Sequence, residues 1–271
     1  MKIFQVDAFT DKPFAGNPAA VCLLEIEQPD SWMQHMAAEM NLSETAFLLR
    51  EGDDPTFRLR WFTPTTEVSL CGHATLASAH ILFEESILAP DEQAIFLTKS
   101  GALKATKHEK WIEMVFPSRI VTPIEHKAEL SEALGVEPKL TAKHSEGTGN
   151  LYLVEVNSDR EVSELQPDFR KLSETDAEAV IVTSISSESA YDFVSRFFAP
   201  AFGIDEDPVT GSAHCYLAPY WAEKLGKEEL VGFQASRRTG IIRCRPTPDA
   251  VFLKGRAVTV LKGDIMAGPQ L

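Results

Sequence analysis

An internal repeat is the feature that most restricts how this chain folds. In the first half, Arg60-Trp61-Phe62-Thr63-Pro64 is followed after six residues by Cys71-Gly72-His73-Ala74. In the second half, Arg196-Phe197-Phe198-Ala199-Pro200 is followed after nine residues by Thr210-Gly211-Ser212-Ala213. Each copy is typical of a strand that ends at a proline, a polar loop and a helix that begins at a glycine. The repeat predicts two similar domains, and a cleft between domains is a common place for a ligand.

Short strand-like segments make up most of the remaining chain. Helical signals are few: Ser31 and Gln34 have the spacing of a capping box, and two further helices are expected to begin after Gly72 and Gly211. Many strands with few helices predict an α+β fold rather than a doubly wound parallel sheet.

The predicted domain boundary is a proline-punctuated stretch between two strand-rich halves, residues 116–123. We therefore expect an N-terminal domain over residues 1–117 and a C-terminal domain over residues 118–263. This division leaves the segment 264–271 able to return to the first domain.

The charge balance excludes several classes of partner. The chain has 271 residues with 26 Lys and Arg against 40 Asp and Glu, a formal net charge of −14 at pH 7. This acidity argues against binding to nucleic acid or to anionic lipid, both of which require clustered basic residues. Asp7 and Asp11 interrupt the N-terminal apolar stretch, so no signal peptide is expected, and no apolar run reaches the roughly 18 residues of a membrane span. We therefore expect a cytoplasmic protein.

Neither a metal nor a cofactor is expected from the motifs present. The four cysteines are widely spaced and form no C-x-x-C pair, which argues against a zinc ribbon or a disulfide scaffold. There is no H-E-x-x-H spacing, no G-x-G-x-x-G and no Walker motif.

The two predicted helix starts are candidate anion sites. A helix N-terminus exposes unpaired N–H groups and a partial positive charge, and Gly72 and Gly211 would let a ligand approach the backbone closely. The competing interpretation is ordinary capping by Thr210 or Ser212 without any ligand.

Four side chains near these helix starts are able to carry protons. A thiol at a helix N-terminus often has a depressed pKa, so Cys71 is a candidate thiolate, and His73 titrates near neutrality. Glu44 and Asp207 are candidate carboxylates, although the local pattern alone favours a solvated position for either one, or a capping role of Glu44 toward Asn41.

Five ordered blocks of sequence resemble one known family, the PhzF-like, phenazine-biosynthesis-isomerase-like proteins. The blocks are Asp7-Ala8-Phe9, Gly16-Asn17-Pro18-Ala19-Ala20-Val21, Asn41-Leu42-Ser43-Glu44-Thr45-Ala46-Phe47, Leu70-Cys71-Gly72-His73-Ala74-Thr75-Leu76-Ala77 and Glu206-Asp207-Pro208-Val209-Thr210-Gly211-Ser212-Ala213. The resemblance implies a diaminopimelate-epimerase-like fold: two pseudo-symmetric domains, each a curved, mostly antiparallel sheet around a central helix, with the active site between them.

The same resemblance implies an isomerase that moves a proton on a small carboxylate-bearing substrate without a cofactor. Glu44 is then the principal general acid/base, with Asp207 and His73 assisting. The residues expected to bind the substrate lie at the two helix starts: Gly72, Gly211, Ser212, Thr210 and Cys71. Many relatives are homodimers, so a homodimer is expected here.

One position separates the possible mechanisms. Related racemases use a cysteine at each helix start, because inversion of configuration requires two opposed acid/base groups. Here Thr210 occupies the position of the repeat that corresponds to Cys71, and threonine is a poor proton carrier at neutral pH. Carboxylate chemistry with Glu44 is the favoured hypothesis. An epimerase that opposes Cys71 to a carboxylate and a non-catalytic metabolite-binding protein are the alternatives.

Overall fold

The chain divides into two compact units. A computed structural model describes residues 1–52, 55–144 and 149–266. The first unit consists of Met1–Phe116 together with the chain from Phe252 onward, and the second unit consists of Pro117–Val251. The return to the first unit comes earlier than the predicted residue 264, because Ala257–Asp264 forms a strand that pairs with the first strand of the chain. The last five residues of the predicted return, 267–271, lie outside the described residues.

The first unit contains most of the strands and two helices. Its elements are β1 (Lys2–Ala8), β2 (Asn17–Leu24), α1 (Asp30–Met40), β3 (Glu44–Arg50), β4 (Thr56–Phe62), β5 (Glu67–Val68), α2 (Gly72–Glu84), β6 (Gln93–Thr98), β7 (Gly101–His108), β8 (Trp111–Pro117) and, after the second unit, β17 (Ala257–Asp264).

The described residues of the second unit form four helices and a 3₁₀ turn at Pro200–Phe202. Its elements are β9 (Val121–Ile124), α3 (Ala128–Leu134), β10 (Leu140–His144), β11 (Leu151–Glu155), α4 (Asp159–Glu164), α5 (Phe169–Ser173), β12 (Ala179–Ile185), β13 (Phe193–Phe198), α6 (Gly211–Leu225), β14 (Leu230–Gln234) and β15 (Gly240–Pro246), while β16 (Ala250–Gly255) continues into the first unit.

The two units share one order of strand pairing. In the first unit, β1 pairs with β2 antiparallel, β2 with β3 parallel, β3 with β4 antiparallel, β4 with β6 parallel and β6 with β7 antiparallel. In the second unit, β10, β11, β12, β13, β14 and β15 pair in the same alternation. The common pattern confirms the α+β class and the two similar domains predicted from the repeat.

One helix lies at the centre of each unit and begins at the predicted glycine. Ten of the thirteen residues of α2 are buried, and this helix packs against β1, β2 and β3. Helix α6 buries seven of its fifteen residues and packs against β14 and β15. An amphipathic surface helix buries a single stripe, so burial on this scale in α2 indicates a helix surrounded by sheet. No helix in the described part of the chain is both long and apolar enough to cross a bilayer.

A bidentate ion pair fixes the loop in front of each central helix. Nε and Nη2 of Arg60 contact the two carboxylate oxygens of Glu67, each at 2.8 Å. Arg196 contacts Glu206 in the same way, at 2.6 and 2.8 Å. Each glutamate lies five residues before the glycine that starts the helix. Because paired Arg–carboxylate contacts fix both distance and orientation, these two clamps hold the helix N-termini in equivalent positions.

The capping box predicted at Ser31 is wrong, although the helix itself is present. Helix α1 begins one residue earlier, and its N-cap is Pro29, which has no capping side chain. The amide of Gln34 instead donates to the carbonyl of Thr63, at 2.9 Å. The side chain of Gln34 therefore donates to a carbonyl distant in sequence and does not accept from the backbone N–H that a capping box would use.

Candidate active site

The first unit brings Glu44, Cys71 and His73 together. Glu44 is the first residue of β3, which runs parallel to β2 with Glu44 beside Ala19. Cys71 is the N-cap of α2, and His73 is the second residue of that helix. Parallel strands that begin side by side present their first residues at one edge of the sheet, and the N-terminus of α2 lies against that edge.

The imidazole of His73 is at the centre of this cluster. Its Nε2 lies 3.1 Å from Oε2 of Glu44, and the two side chains are 7% and 13% exposed. Its Nδ1 lies 3.1 Å from Nδ2 of the fully buried Asn17 and 3.5 Å from Sγ of Cys71. Oε2 of Glu44 makes no well-aligned hydrogen bond among the described residues. Loosely aligned contacts of this kind are common in catalytic sites that hold no substrate, because they tighten when the substrate binds.

Opposite charges set the ionisation of Glu44 and His73. Burial alone raises the pKa of Glu44, but the charge and hydrogen bonding of His73 lower it overall, below its ordinary value. For His73, burial lowers the pKa, while its interactions with Cys71 and Glu44 raise it well above its ordinary value. The direction of both shifts favours a carboxylate beside an imidazolium. Glu44 is therefore ionised at neutral pH, as a base must be before it accepts a proton.

The expectation that Cys71 is a thiolate is not supported by its surroundings. Burial, and then the negative charge of Glu44, raise the pKa of the Cys71 thiol to about 11, outweighing the lowering effect of His73. Cys71 is 6% exposed, so the cost of desolvating a charged sulfur exceeds the stabilisation that the helix N-terminus provides. Cys71 is consequently a neutral thiol at pH 7 and a weak candidate for a base.

The cluster also has the residue types of a metal site. Glu44, Cys71 and His73 each offer one atom that could bind a metal ion, and these three atoms lie within 4.8 Å of one another. However, one imidazole nitrogen faces Asn17 and the other faces Glu44. With both ring nitrogens facing these neighbours, the contacts favour a hydrogen-bonded acid/base cluster.

The second unit brings Asp207 and Thr210 together at the start of α6. The hydroxyl of Thr210 donates to Oδ2 of Asp207 at 2.5 Å. The side chain of Gln234, which is buried at the end of β14, accepts from the backbone N–H of Thr210 at 2.8 Å and donates to the carbonyl of Asp207 at 2.8 Å. Gln234 thus fixes both ends of the short turn that holds the carboxylate.

Simple capping does not explain the residues at this helix start. Thr210 is the N-cap of α6, but its side chain makes no capping hydrogen bond and is directed to Asp207 instead. Gly211 is buried, whereas Ser212 is exposed at the second position of the helix. The first N–H groups of a helix have no partner within the helix, so this terminus offers backbone donors beside a hydroxyl group.

The histidine of α6 packs in the interior of the second unit. His214 is fully buried, its Nδ1 lies 2.8 Å from the carbonyl of Thr210, and its ring lies against Phe193. Burial lowers its pKa to about 4, so this imidazole stays neutral.

Sequence reasoning assigned no role to Asn17 or Gln234. Asn17 stands inside a Gly-Asn-Pro segment that was noted only as part of a family pattern, and Gln234 is 24 residues from Thr210. The position of Asn17 at the start of an apolar run was the only local signal. The contact of each residue with its helix start depends on strand register, which a single sequence does not reveal.

Comparisons with known proteins match almost the whole chain to the family that its sequence blocks resemble. The model of the PhzC–PhzF family, phenazine biosynthesis-like protein, matches residues 6–263. An uncharacterized isomerase of Halalkalibacterium halodurans is 50% identical over 267 residues, covering 97% of this chain and 98% of the relative.

Solved structures agree with the sequence relatives. A PhzF-family phenazine biosynthesis protein of Enterococcus faecalis has 39% identity and a TM-score of 0.91, covering 98% of this chain and 99% of the other. A probable proline racemase of Agrobacterium radiobacter has 11% identity and a TM-score of 0.65 over 99% and 94% of the two chains, which extends the shared fold to racemases. With this full-length agreement in sequence and fold, the chain belongs to the family of phenazine biosynthesis-like proteins.

Proposed function

We propose that this chain is an isomerase that moves a proton on a small carboxylate-bearing substrate, with Glu44 as the general acid/base. The enzyme class rests on the relatives, one of which is itself called an isomerase. The observation that carries the role of Glu44 is its contact with His73: a largely buried carboxylate stays ionised because an imidazole lies 3.1 Å away. A base that is ionised yet shielded from water is suited to removing a proton from carbon.

In the proposed reaction, Glu44 takes a proton from a carbon of the substrate. The C–H bond breaks, the electron pair remains on the conjugated substrate and an O–H bond forms on Glu44. Glu44 then returns the proton to a different carbon, so the product is an isomer and no external oxidant or reductant is needed. His73 stabilises the carboxylate before the transfer, with Nε2 facing Oε2 of Glu44.

We propose binding and assisting roles for the residues at the two helix starts. Backbone N–H groups at Gly72 and Gly211 are suited to holding the carboxylate of the substrate and the charge that develops next to it. Asp207, held by Thr210 and Gln234, is the proposed assisting proton carrier, and the exposed Ser212 is a proposed donor to the substrate.

Exchange of substrate hydrogen with deuterated solvent tests the central role of Glu44. A panel of amino acids and of cyclic hydroxy- and amino-carboxylates is incubated with the enzyme in D₂O and analysed by mass spectrometry and NMR. Exchange is expected with the wild type and is expected to fall by about 10²–10⁴-fold in Glu44→Gln, the usual effect of removing a general base. Glu51→Gln is the matched control, since Glu51 follows the same strand and pairs with the half-exposed Arg58.

Each alternative has its own outcome in this experiment. Equal exchange in the wild type and Glu44→Gln would overturn the role of Glu44. Exchange with inverted configuration that is lost in Cys71→Ser would favour an epimerase. Saturable binding of a compound without exchange across the whole panel would favour a metabolite-binding protein, since a fold by itself does not establish activity.

A further inference from the structure

The loop that leads to Asn17 is held in an unusual backbone conformation. Phe9 and Phe14 both have positive φ, 62° and 69°, which is rare for aromatic residues. The backbone N–H of Phe14 donates to the buried carboxylate of Asp7 at 2.7 Å. Gly16 has φ +66°, and a Cβ at this position would lie 2.2 Å from a backbone oxygen of β1. Strain of this kind persists only where the surrounding structure imposes it, so the position of Asn17 is closely defined.

The side chain of Asn17 meets the imidazole on the side away from Glu44. Its Nδ2 lies 3.1 Å from Nδ1 of His73, inside the protein. An amide nitrogen only donates hydrogen bonds, so in this orientation Nδ1 is the accepting nitrogen whenever the ring is neutral. The single hydrogen of the neutral imidazole is then on Nε2, which lies 3.1 Å from Oε2 of Glu44.

The second unit shows that the fold itself does not require Asn17, Glu44 or His73. In the first unit Glu44 pairs with Ala19 and Thr45 with Phe62. The same registers in the second unit pair Ala179 with Leu151, and Val180 with Phe198. By this correspondence the positions of Asn17, Glu44 and His73 are occupied in the second unit by small residues that do not titrate: Gly149, Ala179 and Ser212. The amide is thus present in the unit that has the acid/base pair and missing from the unit without it.

We propose that Asn17 is a positioning residue that holds the neutral imidazole of His73 with its one hydrogen on the side of Glu44. This inference deepens the proposed function and rests on the role of Glu44 in it. A ring held in this way directs its Nε2–H at the carboxylate of Glu44 as a hydrogen-bond donor without rotating. When the ring takes a second proton, Nδ1 becomes a donor, and the amide of Asn17 must turn to present its oxygen. Asn17 therefore disfavours the imidazolium, whereas Glu44 favours it.

Nitrogen NMR of His73 tests this proposal without any substrate. The charged or titratable groups that face the ring are Glu44 on β3 and Cys71 at the start of α2, with the Asn17 amide on β2. Protein labelled with ¹⁵N-histidine is titrated, and His73→Gln assigns the signal. The neutral ring of the wild type is expected to carry its hydrogen on Nε2. Asn17→Ala is expected to lose that preference and to raise the pKa of His73 by about one unit, a tenfold change in the protonation equilibrium.

Asn17→Asp keeps the shape of the side chain and supplies an acceptor, so it is expected to raise the pKa of His73 further and to move the hydrogen to Nδ1. His80, on the same helix but in contact with Thr259 and Glu84, is the internal control and is expected not to change. A wild-type neutral ring protonated on Nδ1, or a pKa that falls or stays constant in both variants, would overturn the proposal. These readouts do not depend on turnover, so a failure of Glu44 as the base would appear separately, in the exchange experiment.

Discussion

The hydroxyl of Thr210 donates a 2.5 Å hydrogen bond to Oδ2 of Asp207, at the position in the repeat where the first unit has Cys71. The second helix start thus has, in place of a thiol, a hydroxyl group that is hydrogen-bonded to a carboxylate. Thr210→Val keeps the volume of the side chain but removes the donor. Since hydrogen bonds to charged groups contribute about 1.5–3 kcal/mol, we expect turnover to fall by roughly tenfold to a hundredfold.

The rate of substrate exchange in D₂O measures this effect. Thr210→Ser keeps the hydroxyl and is the matched control, expected to retain most of the activity. Equal losses in the valine and serine variants would mean that the methyl group of Thr210, and not its bond to Asp207, is what matters.

Cys71→Ser is expected to leave an active enzyme. The pKa of the Cys71 thiol is raised to about 11, so at pH 7 the sulfur is protonated and is not the base. We expect a change well short of the ~10²-fold loss that follows removal of a general base. Cys22→Ser changes a fully buried residue of β2 and controls for placing a hydroxyl group in the interior. A loss as large as that of Glu44→Gln would identify Cys71 as a second acid/base group.

The contact between Glu44 and His73 is expected to make stability depend on pH in a defined way. The pKa of Glu44 is lowered in the folded chain, so its contribution is present above the ordinary value of 4.5 and is lost as the pH falls through the folded pKa. The pKa of His73 is raised, so its contribution is complete below the ordinary value of 6.5 and is lost as the pH rises through the folded pKa. Both contributions are therefore present together between pH 4.5 and 6.5.

Urea unfolding of the wild type and of His73→Gln across the range from acid to alkaline pH checks this expectation. The difference in free energy of unfolding between the two proteins is expected to be largest in the window between the two ordinary pKa values and to shrink on either side. A difference that stays constant with pH would show that His73 contributes by packing alone.

The clamp between Arg196 and Glu206 is expected to matter for stability more than a surface ion pair does. The two side chains are 10% and 19% exposed, and Nη1 of Arg196 also donates to the carbonyl of Leu165. Arg196→Lys loses the paired geometry, and we expect the free energy of unfolding to fall by about 1–3 kcal/mol. The control Arg160→Lys alters an exposed pair with Glu164, for which we expect at most ~0.5 kcal/mol. Similar losses in both variants, measured by urea unfolding, would contradict the role of the clamp.

The sequence alone was sufficient to locate the two central helices. Gly72 and Gly211 are the first residues of α2 and α6, as predicted. Both predictions rest on local chemistry, a glycine after a polar loop and before an apolar run, and local chemistry is visible in one sequence. The repeat further predicted that the units are alike, which the shared order of strand pairing bears out.

Properties that depend on burial could not be obtained in this way. The thiol of Cys71 was a candidate thiolate because of its place at a helix N-terminus, but the degree of burial that reverses its pKa shift is set by strands distant in sequence. Asn41, considered as a capping partner of Glu44, is in fact the C-cap of α1 in the left-handed conformation. Glu44 contacts His73 instead, because β3 begins beside α2, and that adjacency follows from the tertiary fold.

The pairing of β17 with β1 has a consequence for how the chain is made. The second unit is one continuous segment, residues 117–251, so all of its strands are present once that segment has been synthesised. The first unit contains the N-terminus, but β1 lacks one neighbour until Ala257–Asp264 has been added. Until then an edge of the first unit is open to pairing with other chains. Folding during synthesis is therefore completed in the reverse of chain order, and the half that carries Glu44 is finished last.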